Sequence, residues 1–177
     1  MSKRQDVLIE TNVQWLQQAL RLLTVITDDN YRRSPAEFFP HRVGGHLRHI
    51  IEFYECFLDG LKSSHIDYDA RQRKVSIENS RIVAMDSIRS VIERLEGNEL
   101  IRIDSILWVR MEDCDQEALD DRFLTSSPAR ELQVLSSHTI HHFALIAMTL
   151  TALRVPVDPD FGVAPSTLRY RARVEAA

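Results

Sequence analysis

The chain has 177 residues, of which 44% are hydrophobic and 27% charged, and its formal net charge is −4 at pH 7. This length allows one domain with a hydrophobic core, and the five glycines and six prolines are as few as in a typical helical protein. Acidic and basic residues are intermixed along the chain, which argues against a nucleic-acid surface. Cys56 and Cys114 form no C-x-x-C motif, so neither a disulfide framework nor a sulfur-rich zinc site is predicted.

Membrane insertion is not expected from the sequence. Residues 1–6 become acidic before any apolar core of a signal sequence could form. The longest apolar run, residues 143–153, is too short to span a bilayer. We therefore expect a cytoplasmic protein that has neither a membrane nor a nucleic acid as its partner.

Two amphipathic helices are predicted in the first third of the chain. Residues 7–27 and residues 43–61 both carry apolar side chains at spacings of three and four. Residues 28–40 between them have the composition of turns. Gly44 and Gly45 weaken the start of the second helix relative to alanine, which predicts a close approach of backbone or ligand at this point.

The middle of the chain predicts a change of structure. Residues 64–74 form a polar connection, and residues 77–95 carry the pattern of a third helix that stops at Gly97. Residues 101–111 alternate between apolar and polar side chains, which predicts a strand paired with residues 121–124.

The last long helix begins after Ser126-Ser127-Pro128, which supplies an N-cap and a first-turn proline. Residues 155–165 contain three prolines and are predicted to be extended. Four helices in a short chain indicate a bundle. The predicted fold is therefore one all-α domain over residues 1–177, with a short β-hairpin or strand insertion before the last helix.

The last helix also carries the sharpest chemical signal. His138 and His142 fall near the middle of an apolar stripe that contains Leu135 and Ile146. Side chains four residues apart on a helix have Cβ atoms roughly 6 Å apart, so both imidazoles can bind one metal ion. Because burying two polar rings without partners is costly, the pair is interpreted either as metal ligands or as hydrogen-bonded core residues.

A third ligand can come from the second helix, which offers His46 and His49. His46 lies about 80° from the centre of the apolar stripe of that helix, and His49 lies about 140° from it. Residue geometry therefore favours His46 and leaves His49 as the alternative. Three histidines leave a coordination position open, and neutral imidazoles without thiolates suit Zn²⁺ or Ni²⁺, with Fe²⁺ and Mn²⁺ as further options.

Two segments of the sequence resemble motifs of the DinB-like superfamily of metal-binding four-helix bundles. They are V-G-G-H-L-R-H-I-I-E at 43–52 and R-E-L followed by S-H-T-I-H-H, within 130–142. Helix number and order also agree with that superfamily over nearly the whole chain. The resemblance implies an up-down-down-up bundle, frequently a homodimer, with a divalent metal held by one histidine of the second helix and a His-x-x-x-His pair of the fourth.

The resemblance also implies particular ligands. Carried over, the pair is His138 and His142. In the motif of the second helix the ligand follows a glycine by five residues and precedes an acidic residue by three, which selects His49, with Gly44 and Glu52 in register. The motif thus favours His49 over His46.

Several proteins of this superfamily are thiol-dependent transferases or isomerases that act with bacillithiol, mycothiol or a similar low-molecular-weight thiol. The resemblance therefore implies a metal-dependent transferase or hydrolase that acts on a small molecule, with such a thiol as a possible co-substrate. Under this hypothesis the candidate substrate contacts are Tyr54, Tyr68, Arg71 and Arg130. The alternatives are a non-catalytic metal-binding or ligand-binding bundle in a stress response, and a metal-free bundle whose histidines are hydrogen-bonded in the core.

Overall fold

The structure is a computed structural model that describes residues 3–97, 101–111 and 123–175. These residues are mostly helical and include a small three-stranded sheet, so the coarse prediction is confirmed. The helices are α1 (Lys3–Val25), α2 (Asp28–Arg32), α3 (Val43–Gly60), α4 (Val75–Asn79), α5 (Arg81–Gly97), α6 (Pro128–Ala152) and α7 (Pro165–Glu175), with a 3₁₀ helix at Ala36–Phe38. The strands are β1 (His65–Asp67), β2 (Leu107–Arg110) and β3 (Leu124–Ser126).

The four long helices, α1, α3, α5 and α6, pack around a common core. Both α1 and α3 contact α5 and α6. Apolar side chains at helical spacing supply this core and are almost fully buried; they include Leu16, Leu23, Leu47, Ile50, Phe57, Ile88, Leu135 and Phe143. The spacing of three and four in the sequence therefore identifies the inward face of each long helix.

A short helix, α2, occupies part of the segment predicted to contain only turns, so that prediction is wrong for Asp28–Arg32. The hydroxyl of Thr27 caps it by accepting a hydrogen bond from the backbone N–H of Asn30, at 3.2 Å. The side chain of Tyr31 is fully buried, and its hydroxyl donates to the carbonyl of Ile77 at 2.6 Å. Five residues are too few for a helical period to be visible in the sequence.

The predicted third helix, residues 77–95, is in fact two helices. Ser80 separates α4 from α5 with an extended backbone (φ −133°, ψ 113°). Its hydroxyl accepts a hydrogen bond from the N–H of Val83 at 3.4 Å, which is the arrangement of an N-cap. Serine favours helix starts over helix interiors, and this explains the break that the apolar period does not reveal.

The small sheet confirms one predicted pairing and adds a strand. β2 is shorter than predicted, and it pairs antiparallel with β3, where Val109 lies opposite Leu124. Residues 121 and 122 of the predicted partner strand lie outside the described residues. β1 lies parallel to β2 within the segment predicted to be only a polar connection, and Ile66 lies opposite Val109. The predicted hairpin insertion is therefore part of a three-stranded sheet.

The C-terminal segment returns along α6 before forming α7. Phe161 is buried and stacks on Phe143, with ring centroids 4.6 Å apart. Gly162 has a left-handed backbone (φ 70°), and a Cβ there would lie 2.6 Å from the Cβ of Phe143. The segment predicted to be extended, residues 155–165, contains a turn at residues 159–162, and Pro165 begins α7, so that prediction is wrong at these positions.

Within the described ranges, no helix has both the length and the apolar content that a membrane span requires.

Gly44 allows α3 to approach α4 closely. A Cβ at this position would overlap the backbone carbonyl oxygen of Glu78 and lie 2.8 Å from the ring of Tyr31. The next residue, Gly45, has more room, since its nearest neighbour would be a side-chain carbon of Arg42 at 3.7 Å. The close backbone approach predicted from the glycine pair therefore applies to Gly44.

This difference predicts opposite effects of two neighbouring substitutions. We expect Gly44→Ala to lower the free energy of unfolding by about 1–3 kcal/mol, because the methyl group forces α3 away from α4. We expect Gly45→Ala to raise it by up to about 1 kcal/mol, because alanine favours the helix. Urea unfolding followed by circular dichroism measures both. Equal stability of the two variants would contradict the close approach at Gly44.

Candidate metal centre

The packing of α3 against α6 places four histidines at one end of their contact. α3 contributes His46 and His49, one turn apart, and α6 contributes His138 and His142, also one turn apart. Side chains separated by three or four residues lie on one face of a helix, so each helix presents its pair in the same direction. The two pairs meet between the helices.

Three of these histidines converge. His49, His138 and His142 each offer one ring nitrogen, and these three atoms all lie within 4.8 Å of one another. The ring centroids are 4.9 Å apart for His49 and His138, 4.7 Å for His49 and His142, and 4.5 Å for His138 and His142. A divalent ion bound to nitrogen at about 2.0–2.1 Å could be held by such a trio. We call these three residues the histidine trio.

The trio lies at the edge of the buried face of α6. The fully buried residues of that face are Leu132, Leu135, Thr139, Phe143, Ile146 and Leu150. His138 and His142 are only half-buried. The sequence placed them near the centre of the apolar stripe, and that placement is wrong by a fraction of a turn because Thr139 and Phe143 occupy the centre. Because His138 and His142 lie off the centre of the buried face, the trio is next to solvent.

His46 also points inward, as its helical angle predicted, and only 8% of it is exposed. Its Nδ1 lies 3.0 Å from Nδ1 of His142, and its ring stacks on that of His41 at a centroid distance of 5.5 Å. The structure thus places His49 in the trio and His46 beside it. The choice between them as third ligand stays a prediction.

A metal would satisfy a buried atom that the protein leaves without a partner. Within the described residues, Nε2 of His138 is buried and has no hydrogen-bond partner, and the same holds for Nε2 of His46. Buried polar atoms without partners are uncommon and cost stability. The residues present therefore fit a bound ion, and the trio would hold it.

Burial keeps the trio in the form that binds metal. Removal from water is the main cause and neighbouring positive charges the second, and together they lower the pKa of His49 to about 3, that of His138 to about 4 and that of His142 to about 2. The pKa of His46 falls to about 4 for the same reason. Neutral imidazole is the form with a free lone pair, so these rings can bind a cation at neutral pH without first losing a proton.

One cleft is lined by histidines, and a second contains Arg71, which contacts His49. One, of about 270 Å³, is lined by His46, His49 and His142 together with Pro40, Arg42 and Arg48. The other, of about 490 Å³, includes Arg71, Glu52 and Cys56. Burial raises the pKa of the Cys56 thiol to about 11, so it is protonated at neutral pH and a poor nucleophile.

An aromatic side chain connects the trio to the second cleft. Phe53 stacks on His138 with ring centroids 4.4 Å apart, and the guanidinium carbon of Arg71 lies 4.6 Å from the Phe53 centroid. Nη2 of Arg71 lies 3.3 Å from Nδ1 of His49. Sequence reasoning missed Phe53, although its position four residues after His49 on the same helix places it on the same face.

The four predicted substrate contacts lie in different environments. Tyr54 is fully buried, and its hydroxyl donates to Oδ1 of Asn12 at 2.7 Å. Tyr68 is fully buried, and its hydroxyl donates to the carboxylate of Glu131 at 2.9 Å. Both phenols are thus occupied inside the core, and burial raises the pKa of each.

The two arginines among these candidates differ in exposure and in their distance from the histidine trio. Arg130 is exposed in the first turn of α6, where its backbone N–H is capped by Ser127. Arg71 is half-buried and contacts the histidine trio. Of the four candidates, only Arg71 is placed both at the trio and at a cleft.

Comparisons with known proteins give little guidance. No known family model matches the chain, and no solved structure matches it. The chain is similar to FK506-binding protein 5 of Rhizopus delemar, with 35% identity over 105 residues. The match covers 59% of the chain and 27% of that protein, so the chain spans about a quarter of its relative's length. Most of the relative lies outside the match, and its name therefore assigns no activity to this chain.

The trio predicts a defined metal content. Protein purified without a chelating tag and reconstituted with Zn²⁺ should contain about one ion per chain, as a three-histidine site requires. His49→Ala, His138→Ala and His142→Ala should each lose most of it, because two imidazoles bind far more weakly than three. Elemental analysis by mass spectrometry measures the content.

His141→Ala is the matched control, since this residue is exposed and adjacent to His142 without belonging to the trio. It should keep the metal. His46→Ala should also keep it if His49 is the third ligand. A wild-type protein that retains no metal after reconstitution would contradict the site.

Proposed function

We propose that this protein is a divalent-metal-dependent enzyme of the DinB-like type, with the long helices in up-down-down-up order. His49, His138 and His142 would hold the metal, with Zn²⁺ or Ni²⁺ preferred by an all-imidazole site and Fe²⁺ or Mn²⁺ as alternatives. The observation that carries the proposal is the convergence of the three ring nitrogens within 4.8 Å at the edge of a cleft. The reaction proposed is the transfer of a low-molecular-weight thiol to a small electrophilic substrate.

The openness of the site supports a catalytic role over a purely structural one. Structural zinc sites are usually closed by four protein ligands, whereas catalytic sites keep a position for water or substrate. Within the described ranges, the cluster whose ligand atoms all lie within 4.8 Å of one another contains three histidines, and the neighbouring His46 lies outside it. All three are half-buried, and His49 and His142 line a cleft, so a small molecule can reach the remaining position.

A thiol co-substrate is supported by the state of the cysteine that the described part of the chain places near this site. Cys56, a cysteine of the neighbouring cleft, has a pKa near 11 and remains protonated. A divalent ion in the trio would supply Lewis acidity, which lowers the pKa of a thiol that binds to it. The histidines would hold the ion, and the surrounding apolar wall of Phe53 would limit the access of water.

The second candidate is a non-catalytic bundle in which the ion joins α3 to α6. It is favoured by one observation: the trio draws its residues from both helices, so a bound metal would cross-link them. Binding to the folded state alone would then raise the stability of the protein.

The two functions are separated by assaying one preparation in two ways. Zinc-loaded and metal-free proteins are mixed with a thiol and the electrophile 1-chloro-2,4-dinitrobenzene, and product is followed by absorbance while unfolding temperature is measured in parallel. The proposed enzyme accelerates conjugation only when loaded, and His142→Ala removes the effect whereas His141→Ala preserves it. A loaded protein that is more stable but accelerates conjugation with none of several thiols and electrophiles would favour the second candidate.

A further inference from the structure

Arg71 is brought to the histidine trio by the strand that the sequence did not predict. β1 pairs with β2, and the next residue extends the ladder, since the N–H of Tyr68 donates to the carbonyl of Arg110 at 3.0 Å. Oδ1 of Asp67 then accepts hydrogen bonds from the N–H groups of Asp69 and Ala70, at 3.0 and 3.1 Å. This turn directs Arg71 back over α3.

The guanidinium of Arg71 is held in place but not neutralised. It lies over the ring of Phe53, and Nη1 donates to the carbonyl oxygen of Tyr68. Its Nε is buried and has no hydrogen-bond partner, and within the described part of the chain no carboxylate lies within ion-pair distance of it. Nε and Nη2 form one edge of the guanidinium, the edge that binds a carboxylate through two parallel hydrogen bonds.

The neighbouring carboxylates are already engaged elsewhere. Arg71 lines the cleft of about 490 Å³ together with Glu55, Asp59 and Asp67. Glu55 pairs with Lys74 at 2.8 Å, Asp59 with Arg94 at 2.6 Å, and Asp67 with Arg110 at 3.9 Å. Glu52, which also lines the cleft, accepts from the backbone N–H of Lys74 at 2.6 Å. The carboxylates that line this cleft therefore leave the positive charge of Arg71 uncompensated.

The contact between Arg71 and His49 is incompatible with a metal on His49. A neutral imidazole has one lone pair, and a guanidinium can only donate, so Nη2 at 3.3 Å uses the lone pair on Nδ1 and leaves the proton on Nε2. A metal needs that same lone pair. If it binds Nε2 instead, the proton moves to Nδ1, which can then no longer accept from Arg71. On either nitrogen, metal binding ends this hydrogen bond.

We propose that Arg71 recognises a carboxylate on the substrate or co-substrate, and that its donor edge becomes available when a metal binds His49. This inference rests on the proposed function, since it requires the trio to bind a metal. The ligand class is a small molecule that reaches the metal with one group and carries a carboxylate for Arg71.

Competition between Arg71 and the metal is tested by calorimetric titration with Zn²⁺ alone. Removing the competing hydrogen bond and the nearby positive charge should strengthen zinc binding in Arg71→Gln by about tenfold relative to wild type. Arg73→Gln is the matched control, because this arginine is exposed in the same loop, and its zinc affinity should equal that of wild type.

Carboxylate recognition is tested with two thiols on the zinc-loaded proteins. Mercaptoacetate and 2-mercaptoethanol both carry a thiol, but only the first carries a carboxylate. The ratio of their affinities should fall by about tenfold from wild type to Arg71→Gln, and Arg73→Gln should keep the wild-type ratio. Comparing ratios removes the contribution of any direct binding of the carboxylate to zinc.

The outcomes distinguish this inference from the proposed function. Zinc affinity that does not rise in Arg71→Gln, or an affinity ratio that is the same in wild type and Arg71→Gln, would overturn the role of Arg71 and leave the metal site intact. Failure of both wild type and Arg71→Gln to bind zinc would overturn the metal site itself, and this inference with it.

Discussion

The contact between α3 and α6 is the constraint on which the site depends. Each helix carries two histidines one turn apart, and only the packing of the two helices turns these pairs into a group of three converging nitrogens. Gly44 supports the same geometry from the other side, because its missing side chain allows α3 to lie against the backbone of Glu78. The chemistry of the site is therefore a consequence of how closely helices can approach.

The rings of His138 and His142 are buried deeply enough to stay neutral, but they are not enclosed by the protein. A position at the centre of the buried face, such as that of Thr139, would enclose a ligand completely. An exposed position, such as that of His141, would not screen a bound ion from bulk water. His138 and His142 lie between these two extremes. That intermediate depth is what a site needs if it is to hold an ion and still admit a small molecule.

Sequence patterns predicted the parts of the structure that depend on periodicity. Apolar spacing and the Ser127-Pro128 start predicted α3 and α6, alternation predicted the pairing of β2 with the segment that contains β3, and helical spacing singled out the candidate histidines. The sequence did not reveal β1, because three residues carry no measurable period, or the break at Ser80, because a cap depends on one side chain. Sequence reasoning named Arg71 as a candidate substrate contact but did not link it to His49, because its position beside His49 depends on β1.

X-ray absorption at the zinc edge tests the central claim most directly, because it reports the atoms bound to the ion. We expect three imidazole nitrogens at about 2.0–2.1 Å in the zinc-loaded wild type, together with a solvent oxygen that the sulfur of an added thiol replaces. His46→Ala should leave the imidazole number unchanged, and His49→Ala should lower it. A zinc ion surrounded mainly by oxygen, or an imidazole number that falls with His46→Ala and not with His49→Ala, would contradict the trio.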